Sequence, residues 1–180
     1  DTISQSLTIN VSAVNDAPVI TSNGGGASAA VSVQENTTAV TTVTSSDVDG
    51  GAPVYSILAG GDAAKFTINA STGVLSFIAA PDFENPTDIG SNNVYDLTVQ
   101  VSDGSLTDTQ AIAATVTPVN DNNPVITSNG AGATAALSIA ENTSAVTTVA
   151  ATDADLPAQT LTYSITGGAD AAKFTIGSAT

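Results

Sequence analysis

Acidic side chains one residue apart punctuate this chain, as Asp47-Val48-Asp49, Asp82-Phe83-Glu84 and Asp153-Ala154-Asp155. Glu35-Asn36, Glu141-Asn142, Asp103-Gly104 and Asn120-Asp121-Asn122-Asn123 add single acids set beside an amide or a glycine. Carboxylate, amide and backbone oxygens in this mixture suit a hard cation such as calcium, which takes about six to eight oxygens at about 2.3–2.6 Å. The chain has no His and no Cys, so softer metals lack their usual ligands. Disulfides, thiol catalysis and the commonest general base are absent for the same reason.

Other chemistry for these acids is weaker. An EF-hand beginning at Asp47 needs a glutamate at its twelfth position, where Leu58 stands. Asp82 and Glu84 lie on one turn, poorly placed to flank a sugar from opposite faces as a glycosidase pair must. Lys65 and Lys173 each precede a phenylalanine expected in the core, which favours a structural position over a reactive amine. Asn36-Thr37-Thr38 and Asn142-Thr143-Ser144 fit the N-glycosylation pattern, a match that often arises by chance. Asp62, Asp88, Asp96, Asp108 and Asp170 read as ordinary surface residues.

The elements that position these acids recur. Asn15-Asp16-Ala17-Pro18-Val19-Ile20-Thr21-Ser22-Asn23-Gly24 returns as Asn120-Asp121-Asn122-Asn123-Pro124-Val125-Ile126-Thr127-Ser128-Asn129-Gly130. Glu35-Asn36-Thr37 then matches Glu141-Asn142-Thr143, and Asp47-Val48-Asp49 matches Asp153-Ala154-Asp155. After a two-residue insertion, Gly60 to Ile68 matches Gly167 to Ile176 with one extra alanine. Self-similarity of this kind marks a tandem array. Residues 17–122 read as one complete unit and 123–180 as the front half of the next. Residues 1–16 read as the last strand and linker of a preceding unit, with Leu7, Ile9 and Val11 echoing Ile112, Ala114 and Val116.

Within the complete unit the hydrophobic period is two. Tyr95, Leu97, Val99 and Val101 alternate with Asp96, Thr98 and Gln100, the signature of a half-buried strand. Phe66–Ile68 and Val74–Phe77 flank the turn-rich Asn69-Ala70-Ser71-Thr72-Gly73 and predict a hairpin. Val40–Val43, Val54–Ile57 and Ile112–Val116 supply further short strands, and no window predicts an amphipathic helix. About seven strands per unit, punctuated by Gly, Asn, Asp and Pro, predict an all-β, Greek-key β-sandwich. Phe66, Phe77 and Tyr95 belong in its core.

Charge limits the partners. Seventeen acids face two lysines, a formal net charge of -15, so phosphate-rich nucleic acid is excluded as a partner. Anionic lipid surfaces are disfavoured, and no apolar run of membrane-spanning length is present. The 42% of hydrophobic residues distinguishes the chain from a disordered acidic tail. With no Met, it reads as a piece of a longer chain.

In order, Glu35-Asn36, Asp47-x-Asp49, Asp82-Phe83-Glu84, Asp103-Gly104 and Asn120-Asp121-Asn122-Asn123-Pro124 resemble the calcium motifs of cadherin repeats. The hairpin Phe66–Leu75 is similar to the family's pattern, and Pro81–Asp88 resembles the cadherin-type repeats of large bacterial surface proteins and adhesins. That resemblance implies Ca2+ bound between consecutive domains. At the downstream joint it implies Glu35, Asp82, Glu84, Asn120, Asp121 and Asn122 together with Asp153 and Asp155, holding two to three ions. At the upstream joint it implies Asn15, Asp16, Asp47, Asp49 and Asp103. Glu141 is a candidate ligand as the counterpart of Glu35. The linkers depart from the family pattern: Pro118, and Ala13 upstream, stand where it opens with Asp, and the upstream linker reads as one residue shorter.

The function so implied is non-catalytic: an extracellular, cell-surface repeat that stiffens an adhesin or fibre through calcium at its joints. Its partners would be adjacent repeats of the same chain, with like molecules or another cell-surface ligand beyond them. The alternative is a subunit of an extracellular filament assembled by inter-chain strand exchange and calcium bridging.

Overall fold

The computed structural model describes residues 1–178. Eleven strands form among the described residues, nine of them in the complete unit: β1 (Val19–Ile20), β2 (Ser28–Gln34), β3 (Ala39–Thr42), β4 (Ser45–Ser46), β5 (Val54–Leu58), β6 (Phe66–Ile68), β7 (Val74–Phe77), β8 (Val94–Ser102) and β9 (Thr107–Thr117). β10 (Val125–Ile126) and β11 (Ala151–Thr152) follow in the second copy. β1 and β4 pair with each other, and the other seven strands of the unit make sheets of four (β2-β9-β8-β5) and three (β3-β7-β6). β2 runs parallel to β9, whereas β8 pairs antiparallel with both β9 and β5. This is the expected sandwich.

Alternation decides which face each strand buries. Tyr95, Leu97, Val99 and Val101 point inward from β8, joined by Ile112, Ala114 and Val116 from β9. Phe66, Leu75 and Phe77 meet them from the three-stranded sheet. The Phe66 and Phe77 rings stack at 4.4 Å, and Tyr95 sets its edge against Phe77 at 5.1 Å. The expected hairpin forms, with Phe66 opposite Phe77 across β6 and β7. Its turn ends at Gly73, φ 68°, where a β-carbon would collide with the Val43 carbonyl oxygen. That carbonyl approach and the Val43 N–H bond to the Gly73 carbonyl (2.8 Å) sew the hairpin to the end of β3.

The second copy repeats the start of the first. β10 pairs with β11 as β1 pairs with β4. Asn23 and Asn129 take matching left-handed conformations (φ 52° and 53°), and each accepts a threonine hydroxyl, from Thr41 and Thr147. Residues 1–16 form no strand, and Ile3, Leu7, Ile9 and Val11 stand in solvent. A strand needs a partner to be stable, and no strand of the described residues pairs with this segment. Residues 179 and 180 of the second copy lie outside the described residues.

Two of the acids read as surface residues are buried. Asp62 is 5% exposed and Asp88 also 5%. Asp62 accepts the Ile89 and Asp96 N–H groups, both at 2.9 Å. Asp88 accepts those of Asn92 and Asn93 at 3.0 and 3.1 Å. A buried carboxylate needs such donors, and here the backbone supplies them. Asp108 also has a structural task, accepting the Ile20 N–H at 2.8 Å.

Candidate metal centre at the inter-repeat joint

The joint is built outward from Glu35, at the end of β2. Its side chain is 2% exposed. Oε2 accepts the Phe83 N–H at 2.8 Å and Oε1 the Val119 N–H at 2.6 Å. One carboxylate thus ties the 81–93 connection and the linker to the base of the sandwich. Asn36 reinforces both ties: its N–H bonds the Pro81 carbonyl at 2.9 Å, and its Nδ2 the Asp121 carboxylate at 2.5 Å. Asn36 is left-handed, φ 61°, a conformation asparagine tolerates better than most residues.

This folding brings Glu35, Glu84 and Asp121 together, with one carboxylate oxygen from each within 4.8 Å of the others. Carboxylates this close repel one another. The chain's two lysines do not relieve this: Lys173 pairs with Asp170 at 2.7 Å, and Lys65 makes no ion pair among the described residues. An oxygen cluster lacking a countercharge fits a hard cation.

The second repeat closes on this cluster. Leu156 N–H donates to Glu84 Oε1 at 2.9 Å. Asp155, 1% exposed, accepts the Asn122 N–H at 3.0 Å and its side-chain Nδ2 at 2.8 Å, both on Oδ1. The Asn122 side-chain amide, aided by the Asn122 and Asp121 N–H groups and opposed by desolvation, holds the Asp155 carboxyl below the usual carboxylate range. Asp153 Oδ1 accepts the Asp155 N–H at 3.1 Å and so fixes the Asp-x-Asp turn.

Other expected ligands stand differently. Asp82 lies outside the trio and turns back on its own loop, where Oδ1 accepts the Glu84 and Asn85 N–H groups at 3.0 and 3.1 Å. Asn120 donates to Gln159 at 2.5 Å, and Gln159 in turn reaches Asp155 Oδ2 at 3.4 Å. Gln159 went unseen because it lies in the stretch that the second copy lengthens by two residues. Glu141 is exposed and makes no hydrogen bond of the joint.

At the opposite pole Asn15 Nδ2 donates to Asp103 Oδ2 at 2.7 Å. Asp103 Oδ1 accepts the Ser105 and Leu106 N–H groups at 2.6 and 2.7 Å. The Leu106 N–H, then the Asn15 amide, then the Ser105 N–H hold its carboxyl below the ordinary range. Asp47 Oδ1 accepts the Asp49 N–H at 2.9 Å, and Asp49 Oδ2 accepts the Asp16 N–H at 2.6 Å. That last bond corrects the linker register, because Asn122 makes the same one to Asp155. Asp16 therefore stands opposite Asn122, Asn15 opposite Asp121, and Ser12, not Ala13, opposite Pro118. The upstream linker is not shorter; it has its acid and its amide exchanged.

Comparison with known proteins decides the family. Residues 29–119 match the family described as Cadherin domain. The chain belongs to the cadherin family. It is 36% identical over 140 residues to Protocadherin Fat 1 of Homo sapiens, covering 73% of this chain and 3% of that protein. With Protocadherin Fat 2 of Rattus norvegicus the identity is 33% over 129 residues, 68% of this chain and again 3% of the relative. The cadherin repeats here thus span a small fraction of these relatives' length. Among solved structures, the Protocadherin GammaB4 extracellular domain aligns with TM-score 0.62 and 30% identity over 96% of this chain and 30% of that one. The Protocadherin gammaB7 EC3-6 cis-dimer aligns with TM-score 0.60 and 29% identity over 83% and 38%. Cadherin domains are non-catalytic adhesion repeats, in keeping with the expected absence of enzymatic chemistry. The expected kinship with bacterial surface proteins has no counterpart among these relatives, which are animal protocadherins. No helix of the described residues is long and apolar enough to cross a membrane.

Proposed function

We propose that this segment is a calcium-binding, extracellular stretch of a cell-adhesion protein, and that its joints stiffen the array when calcium is bound. The observation that carries the reading is the meeting of Glu35, Glu84 and Asp121 within 4.8 Å. These residues come from three separate segments, beside an Asp155 delivered by the next repeat. Bound calcium would supply the positive charge that offsets their mutual repulsion. Glu35 and Glu84 hold the first repeat to the site, Asp121 holds the linker, and Asp153 and Asp155 hold the second repeat. Ordering both domains around one site raises the stability of the joint by mass action. Adjacent repeats are the first partners. Like molecules are the next, since one of the similar protocadherins is described as a cis-dimer. Calorimetric titration tests the reading: calcium binds the unmodified chain saturably, and the joint-directed fraction of that binding disappears in Glu84→Ala. Equal binding isotherms for the two chains contradict it.

A further inference from the structure

The run Asp62-Ala63-Ala64-Lys65-Phe66 recurs as Asp170-Ala171-Ala172-Lys173-Phe174, yet Asp62 touches none of the proposed ligands. A chain of partly buried polar contacts nevertheless connects it to them. Asp62 receives the Ile89 N–H on one oxygen and the Asp96 N–H on the other, both at 2.9 Å. Its own N–H bonds the Asp96 carbonyl at 2.7 Å. The turn is tight because Gly61, φ 51°, lies where a β-carbon would strike that same carbonyl. Next to Ile89, Asp88 gathers the Asn92 and Asn93 N–H groups. Asn93, left-handed at φ 61°, sends its Nδ2 across the loop to the Phe83 carbonyl at 2.9 Å. The N–H of that same Phe83 reaches Glu35, and Glu84 is the next residue.

We propose that Asp62 and Asp88 are positioning residues that set the calcium affinity of the downstream joint, by fixing through Asn93 the loop that presents Glu84 to Glu35. The proposal rests on the calcium reading above. Both carboxylates are buried and spend their acceptor capacity on backbone N–H groups, so neither is a ligand itself. They determine instead whether the 81–93 loop holds Glu84 in place before an ion arrives. Loss of an outer contact that orients a metal ligand typically lowers affinity about ten- to a hundredfold.

Calcium titrations of the full chain, followed by amide NMR, separate this from general destabilisation. The Phe83 and Leu156 amides report the downstream joint, and those of Ser105 and Leu106 the upstream pole of the same domain. Asp88→Ala and Asp62→Ala should weaken the downstream response about ten- to a hundredfold while leaving the upstream response unchanged. Asn93→Gly suits the left-handed backbone, removes only the cross-loop amide, and should do the same in a folded protein. Asp62→Asn, which keeps one acceptor oxygen, should fall between. Equal weakening at both poles, or a wild-type downstream midpoint in the folded Asn93→Gly variant, overturns the proposal alone. If calcium leaves the Phe83 and Leu156 amides of the unmodified chain unmoved, the calcium reading falls and takes this proposal with it.

Discussion

Asp155 Oδ1 is gripped twice by Asn122, through the backbone N–H at 3.0 Å and the side-chain Nδ2 at 2.8 Å. A linker residue and a residue of the second repeat are therefore locked together by a carboxylate that is 1% exposed. Charge-assisted bonds of this kind favour the ionised acid. Because the Asp155 carboxyl is held below its ordinary range, its contribution to folding is present above the unfolded value of about 3.9. That contribution is lost as pH falls through the lower folded value. A carboxyl-carbon NMR titration in chelator should place Asp155 below a free aspartate, and Asn122→Ala should move it up. No movement in the variant would mean that the side-chain amide does not control this acid.

Glu35 should matter even without metal. Both of its oxygens accept backbone N–H groups of separate segments, and removing them strands two donors near the base of the sandwich. Glu35→Ala should destabilise the first repeat by about 1–3 kcal/mol per stranded group at most, with Glu35→Gln less affected. Urea unfolding in chelator measures this. An unchanged midpoint would show that water replaces both contacts without penalty.

The exchanged linker residues predict unequal joints. Asp121 completes the carboxylate trio downstream, whereas its upstream counterpart is the neutral Asn15, with the acid moved to Asp16. Calcium affinity follows the number of charged ligands. The double exchange Asp121→Asn with Asn122→Asp should therefore weaken the tightest downstream binding about tenfold or more, at constant total charge. Calorimetry reads it directly, and an unaltered isotherm would mean that linker charge order is immaterial.

Core and joint should separate cleanly. Leu75, fully buried on β7 in the core with Phe66 and Phe77, should lose roughly 2–5 kcal/mol as Leu75→Ala, with the same loss in calcium and in chelator. A loss confined to one condition would show that joint and core are coupled.

Much of this was legible from period and repetition. The alternation of Tyr95, Leu97, Val99 and Val101 names the buried face of β8 because a strand's side chains alternate by geometry. Glu35, Glu84 and Asp121 stood out because five acidic motifs, in order, resemble those of cadherin repeats. Asp62 and Asp88 did not, since their burial depends on N–H groups of residues 89, 92, 93 and 96 that only the folded loop brings near. The register of Asp16 was misread because the shared word Asn-Asp competes with the proline that sets the backbone. The matching bonds to Asp49 and Asp155 and the matching pairing of Val19 and Val125 distinguish the two alignments.

The central claim is that calcium turns a loose joint into a stiff one. The chain has no cysteine, so spin labels can be placed at will, on exposed Ser32→Cys of the first repeat and Thr148→Cys of the second. Pulsed electron-electron resonance between them should give a broad distance distribution in chelator and a narrow one in calcium. Distributions of equal width in the two conditions would contradict the account.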